Sequence, residues 1–364
     1  MTTSQDNFLF LLNWYIVFII QCGALMGLRS VAIGNSPVKI RGFWFAILAI
    51  LLTTFCIISA DYYGYKKMLS RMAIYGGVGD IEPIYWIVGR CIRYKALLFR
   101  GILVLIYYPF LLLLLKRFKL NQTIEKQIFI VLLLYPVATL LRSSLADVIM
   151  WLGIFMLYHK KNISHILTFL VMIIIGWLLH KSSFMVLFLF AMSFVPLKKV
   201  LMQISILSLP IAVIFVKIVI PMIFANYFED STYIDAEETS STIGSVKRLI
   251  TLGFNFVFGF YILRQSKGLC KSGMALKMYR IVYWAFYLWC VFYFSGASRF
   301  IGERLYAHAS LPLFYLVCLL FQNSRLHTRQ TLLLFFAAYI LIQQLGILVV
   351  WAYHEPYLLS NQYI

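Results

Sequence analysis

Apolar runs close to the ~20 residues that span a bilayer recur along all 364 residues, separated by short polar segments rich in lysine and arginine. The runs predict helices near 8–27, 43–60, 97–115, 127–141, 144–158, 163–179, 184–196, 200–224, 249–263, 281–296, 304–321 and 331–351. Inside lipid every backbone polar group must be satisfied within its own segment, so such runs are helical. The expectation is an all-α, polytopic integral membrane protein with about 12 transmembrane helices in a single domain, residues 1–364. Two polar stretches are longer than the rest, 61–96 and 225–248. Within the first, Glu82-Pro83 starts a helix, with proline at its first position and a carboxylate near its positive end. The segment 83–95 carries Tyr85, Trp86, Arg90 and Arg93 and is too polar to span, so it is predicted as an interfacial or re-entrant helix. The runs on either side of "HKSS" (180–183) are read as two helices meeting at a surface, because one continuous helix would bury His180 and Lys181 in hydrocarbon.

Composition closes off the soluble alternatives. The chain is 62% hydrophobic and 12% charged, with mean hydropathy +0.87, too little charge to clothe a water-facing surface. The net charge of +19 is read as membrane orientation and anionic lipid, with no nucleic acid as partner. If the N-terminus lies outside, the inner segments 28–42, 116–126, 159–162, 197–199, 264–280 and 322–330 hold 18 of the 32 basic residues and one acid, Glu125. The rest of the chain holds 14 basic and 12 acidic residues. This alternation predicts that both termini are periplasmic and that 61–96 and 225–248 are periplasmic loops. The first apolar run, Phe8 to Leu28, follows a start without lysine or arginine and lacks a small-residue cleavage site, so no cleavable signal peptide is expected. The six cysteines are scattered with no C-x-x-C spacing, which indicates neither a zinc site nor a disulfide framework.

Charges on the outer face run against the positive-inside bias and need another reason to be there. Asp61 ends a span and is followed by Tyr62, Tyr63 and Tyr65, and Glu82 begins the next polar helix. "LLRSSLADV" places Arg142 at a corner with Asp147 about one turn deeper, as a snorkelling residue, a partner of Asp147 or a ligand-binding cation. "LLHKSS" adds His180 and Lys181. "SGASRFIGERLYAH" adds Arg299, Glu303, Arg304, Tyr306 and His308, with Arg304 and His308 on one helix face. Several cations at one depth suit phosphate oxygens, since arginine forks bind them two at a time. A carboxylate or imidazole beside them offers a base for a hydroxyl. A pocket of this kind suits a polyprenyl-diphosphate-linked sugar. The acidic residues of 225–248 (Glu229, Asp230, Asp235, Glu237, Glu238) are read as solvated.

These pieces resemble the EpsG-like branch of the Wzy-type bacterial polysaccharide polymerases. The resemblance rests on Asp61 with Tyr62 and Tyr65, then "EPIYW" with Glu82 and Pro83, then "LRSSLA" with Arg142, Ser143 and Ala146. The "HKSS" corner and an Arg-x-x-x-x-Arg-x-Tyr formed by Arg299, Arg304 and Tyr306 complete it. It implies a glycosyltransferase of the bacterial inner membrane that works on the periplasmic side. Such an enzyme would polymerise undecaprenyl-diphosphate-linked oligosaccharide repeat units into O-antigen or a related surface polysaccharide. On that basis Arg142, Arg299 and Arg304, with help from Lys181, are assigned to the donor diphosphate. Tyr65, Tyr306 and Arg90 are assigned to substrate binding. His180 or Glu82 is the base for the acceptor hydroxyl, with Asp61 orienting sugar. The scheme needs no metal and no cofactor. Its partners are the lipid-linked oligosaccharide, membrane lipid and a separate chain-length regulator. The alternatives are a lipid-linked oligosaccharide flippase or transporter, a glycosyltransferase using a polyprenyl-monophosphate sugar, and an outer-face acyltransferase with His180 as base.

Overall fold

The computed structural model describes residues 3–37, 41–55, 60–75, 83–159, 162–197, 208–215, 218, 242–295 and 299–358. Every regular element among them is helical. In chain order the helices are α1 Thr3–Ala32, α2 Gly42–Phe55, α3 Ala60–Tyr75, α4 Pro83–Cys91, α5 Ala96–Phe118, α6 Gln122–Leu132, α7 Leu134–Thr139, α8 Leu141–His159 and α9 Ile163–Leu179. A 3-10 turn, Lys181–Phe184, leads to α10 Met185–Met192. There follow α11 Thr242–Ser266, α12 Gly273–Ser295, α13 Arg299–His308, α14 Ser310–Asn323 and α15 Leu326–Leu358. Most of the expected span 200–224 lies outside the described residues.

By length and composition, three described helical stretches can cross a membrane: Tyr15–Ala32, Ala96–Phe118 and Leu141–His159. A fourth is formed if Gly302–His308 and Ser310–Asn323, bent by 52°, count as one span. Trp44–Thr54, Ile163–Leu179 and Lys181–Met192 are apolar but shorter. The protein is therefore an all-helical membrane protein.

The chain divides into two compact units, one of residues 1–184 with 321–364, the other of 185–320. In the first unit α8 packs on α5 and α9, α2 on α5, and α1 on α6 and α15. An aromatic cluster fills this core: Phe45 meets Tyr108 and Phe129 edge-on, with ring centroids 6.3 and 5.8 Å away. In the second unit α12 packs on α10, α11 and α13.

Several elements differ from the sequence reading; the expected span 304–321, for one, is divided between α13 and α14, which meet at a 52° bend. Residues 60–75, expected as part of a loop, form α3. Tyr65, Leu69 and Met72 fall on one face of it and are essentially fully buried, an apolar stripe that outweighs the intervening Lys66, Lys67 and Arg71. The expected helix 127–141 is instead two, α6 and α7, broken at Leu133. Pro136 lies in α7 and has no N–H to donate to the carbonyl of Leu132, four residues back. Other side chains satisfy the backbone there. Tyr339 of α15 donates its hydroxyl to the Leu132 carbonyl at 3.0 Å, and Gln21 of α1 donates to the Val131 carbonyl at 3.2 Å. Arg100 of α5 donates to the carbonyls of Ala138 and of Thr53, the latter at 2.7 Å. A broken helix in a membrane protein persists only where its freed carbonyls find such partners.

Candidate functional site

In the first unit several of the residues singled out in the sequence gather around the start of α8. The chain leaves α7 at Leu140, and Arg142 falls in the first turn of α8, half-buried. Its guanidinium carbon lies 5.4 Å from the ring centroid of Tyr65 and 5.5 Å from that of Tyr85. Tyr65 comes from α3 and Tyr85 from α4, and both are buried. Each ring meets Phe99 of α5 edge-on, at 5.3 and 5.5 Å. Three helices thus supply an aromatic seat for one cation, and the negative ring faces favour the guanidinium over any neutral side chain there.

The "HKSS" corner attaches to the same helix. The hydroxyl of Ser183, buried, donates to Oδ1 of buried Asp147 at 3.3 Å. His180 closes α9 in extended conformation, its N–H donated to the Gly176 carbonyl and its carbonyl accepting from Ser183. Its side chain is half-buried, while Lys181 is exposed. α8 and α9 approach closely because Gly176 has no side chain: a Cβ there would run into Met150 and sit 3.3 Å from the Ala146 carbonyl. α4 also packs on α9. On α4, Arg90 lies over Trp86 one turn earlier on the same helix, 4.1 Å from the ring centroid.

In the second unit α13 rests on α12. Gly302 faces Trp289 and Phe292, where a Cβ would stand 3.3 Å from the Trp289 carbonyl and 2.9 Å from the Phe292 Cβ. One turn later the Tyr306 ring stacks on Trp289 at 5.3 Å and 30°. Arg304 is half-buried, Glu303 exposed and His308 buried.

The structure thus brings Tyr65 and Arg142 together and ties the His180–Lys181 corner to α8 through Ser183 and Asp147. Arg90 stands on Trp86, and Tyr306 on Trp289. Asp61 lies in the first turn of α3, and Arg299 begins α13, but their side chains lie outside the described residues, as do Glu82 and the acids of 225–241. Among the described residues no three His, Cys, Asp or Glu side chains come close enough to hold a metal ion. Sequence reasoning overlooked the seat itself, Tyr85 with Phe99, and the Ser183 contact to Asp147, which joins residues 36 apart. It also passed over Arg100, whose signal was a lone cation one turn inside an otherwise apolar run.

A family model, the EpsG family, matches residues 39–363, a stretch that contains every element of both clusters. The chain belongs to the EpsG family. No curated protein and no solved structure matches it. EpsG proteins are a Wzy-type polysaccharide polymerase-like family, which gives this membrane protein a polymerase-like role in surface polysaccharide biosynthesis and makes it glycosyltransferase-like. In this EpsG protein Arg142 is a half-buried cation held over two tyrosine rings.

Proposed function

We propose that this EpsG protein is the glycosyltransferase that polymerises undecaprenyl-diphosphate-linked repeat units into O-antigen or a related surface polysaccharide. In this reading it crosses the inner membrane 12 times with both termini in the periplasm, and the Arg142 and Arg304 clusters lie on the periplasmic side. The observation that carries the proposal is the seating of Arg142 between Tyr65 and Tyr85, beside a corner that bears His180 and Lys181. The ring faces stabilise the guanidinium through its plane, whereas a phosphate recognises its in-plane N–H fork, so the two kinds of contact are compatible.

The step is a substitution at the anomeric carbon of the donor sugar. A hydroxyl oxygen of the next lipid-linked repeat unit attacks that carbon, and its bond to the diphosphate oxygen breaks. The hydroxyl proton goes to His180 or Glu82, and the diphosphate leaves on its lipid. Arg142 stabilises the charge that builds on the leaving group. Lys181 contributes to phosphate binding and Asp61 orients sugar. Tyr65 serves by holding Arg142.

The break between α6 and α7 favours a second reading, a transporter, because discontinuous helices mark transport sites in other membrane proteins. One experiment separates the two. The gene is deleted and the cell-surface polysaccharide run on a gel, then complemented with wild type, Arg142→Ala, His180→Ala or Arg299→Ala. Polymerisation predicts loss of the ladder while a single repeat unit stays attached to its acceptor, and no rescue by the variants at normal membrane levels. Absence of any repeat unit at the surface would favour the transporter.

A further inference from the structure

We propose that the exposed faces of α3 and α4 bind an acidic glycan, so that the repeat unit polymerised here carries anionic groups, carboxylate or phosphate; the inference rests on the polymerase reading. Lys66, Lys67 and Arg71 of α3 are exposed, as are Arg90 near the end of α4 and Arg93 and Lys95 in the turn that follows. No acidic residue stands among the described side chains of 60–100.

Local structure brings the two sets of cations onto adjoining helices. On α3 the stripe of Tyr65, Leu69 and Met72 turns inward at helical spacing, which leaves Lys66, Lys67 and Arg71 on the outer face. Gly89 admits α4 against that stripe: a Cβ there would stand 3.0 Å from Leu69 and 3.3 Å from the Met72 sulfur. Left-handed backbone at Arg93 and Tyr94, closed by the Tyr94 N–H on the Gly89 carbonyl at 2.9 Å, holds Arg93 and Lys95 close to the end of α4. Arg90 lies over the Trp86 ring. A contact of that kind uses the plane of the guanidinium and not its N–H fork, the part that matches a carboxylate or phosphate.

The inner faces of the same two helices hold Tyr65 and Tyr85, the seat of Arg142. A glycan running over the outer faces therefore passes within about 10 Å, one helix diameter, of the residue assigned to the leaving diphosphate. Charge complementarity selects an anion, and burial selects a hydrated polymer over the bilayer. A helix that docks on anionic lipid sinks an apolar face into the headgroup region. α3 has spent its apolar face on α4 and α5. Its exposed Ile74, like Ile87 of α4, stands singly and makes no such face. In the proposed orientation these cations are periplasmic, where the positive-inside bias gives them no reason to be. A cationic surface of this kind raises the local concentration of an acidic substrate.

The test uses the full chain in nanodiscs of phosphatidylcholine, which offer no anionic lipid, and the surface polysaccharide purified from the wild-type strain as probe. Binding is expected, and should weaken several-fold between about 50 and about 300 mM salt. Lys66→Gln/Lys67→Gln/Arg71→Gln alters exposed side chains alone, so the thermal midpoint should hold while binding falls roughly tenfold. Lys66→Glu/Lys67→Glu should weaken it further. Carboxyl reduction of the polysaccharide, or removal of phosphate with hydrofluoric acid, should abolish binding and tells which anion is read. Undiminished binding by the folded triple variant, or a polysaccharide built of neutral sugars, overturns the proposal. So does a triple variant that binds polysaccharide like wild type but no longer retains phosphatidylglycerol on purification, which assigns the cations to the bilayer. A ladder lost on gene deletion and made of neutral sugars sinks the acidic-glycan inference alone. A ladder that persists in the deletion strain sinks the polymerase reading, whether or not the polysaccharide binds.

Discussion

Glu125→Gln should make this protein more stable at neutral and alkaline pH and leave it nearly unchanged in acid. Glu125 lies in the first turn of α6, fully buried, and neither carboxylate oxygen has a hydrogen-bond partner among the described residues. Its place at a helix N-terminus favours the charged form by at most about 1–2 kcal/mol. Burial acts the other way and wins, moving the carboxyl from its ordinary 4.5 up to about 8, with adjacent Lys126 opposing only part of the rise. Because the folded value is the higher one, the group costs nothing below pH 4.5, where both states hold the proton. Between pH 4.5 and 8 the unfolded chain has released a proton that the folded chain keeps, so stability falls as pH rises. The slope is about 1.4 kcal/mol per pH unit, which accumulates to about 4 kcal/mol at pH 7.5. Glutamine keeps the shape and removes the charge. Melting of detergent-purified wild type and variant, followed by tryptophan fluorescence between about pH 5 and pH 8, should give converging midpoints in acid and a gap of several degrees in base. A gap independent of pH, or a variant that melts lower at pH 8, would show that Glu125 is ionised and paired in the folded protein and would refute the reasoning.

Three further outcomes follow from close contacts. Gly176→Leu drives a side chain into Met150 and the Ala146 carbonyl, and should cost about 1–3 kcal/mol while parting the corner from α8; accelerated crosslinking of cysteines placed at 180 and 147 in wild type but not in the variant checks it. Arg100→Met leaves the carbonyls of Thr53 and Ala138 buried without their donor, about 1–3 kcal/mol each, and should lower membrane levels sharply; Arg100→Lys should rescue only in part, because a single ammonium lacks the fork that reaches both. Tyr339→Phe removes the donor to Leu132 and should lower stability by about 1 kcal/mol or more, read as a modest drop in melting midpoint with the ladder retained.

Helices that begin and end on strong local signals were legible from the chain alone. The run 163–179 coincides with α9, which Asn162 caps by accepting from the His165 N–H and which ends at the polar corner. Pro83 opens α4 as expected, but the helix stops at Cys91 instead of 95. Arg93 and Tyr94 adopt left-handed backbone there, and Tyr94 returns its N–H to the Gly89 carbonyl to turn the chain into α5. α3 escaped notice because its buried stripe of Tyr65, Leu69 and Met72 is interleaved with three cations, which pull average hydropathy down without disturbing helical spacing. Pro136 gave fair warning of the break between α6 and α7. The partners that make the break tolerable, Tyr339 and Gln21, are remote in sequence and follow no spacing rule.

The same limit explains why two arginines at the edges of apolar runs looked alike and are not. Arg100 and Arg142 each sit within one or two turns of a helix start. Arg100 is wholly buried and directs its fork to two backbone carbonyls, so its charge is consumed in holding α2, α5 and α7 together. Arg142 rests half-exposed on two tyrosine faces, beside a corner that carries a histidine and a lysine. A carbonyl binds the edge of a guanidinium and an aromatic ring binds its plane, so the neighbours separate the arginine spent on backbone carbonyls from the one to which we assign the phosphate role. Those neighbours come from helices 40 to 80 residues away, which is why the cations could be found in the sequence and their duties could not.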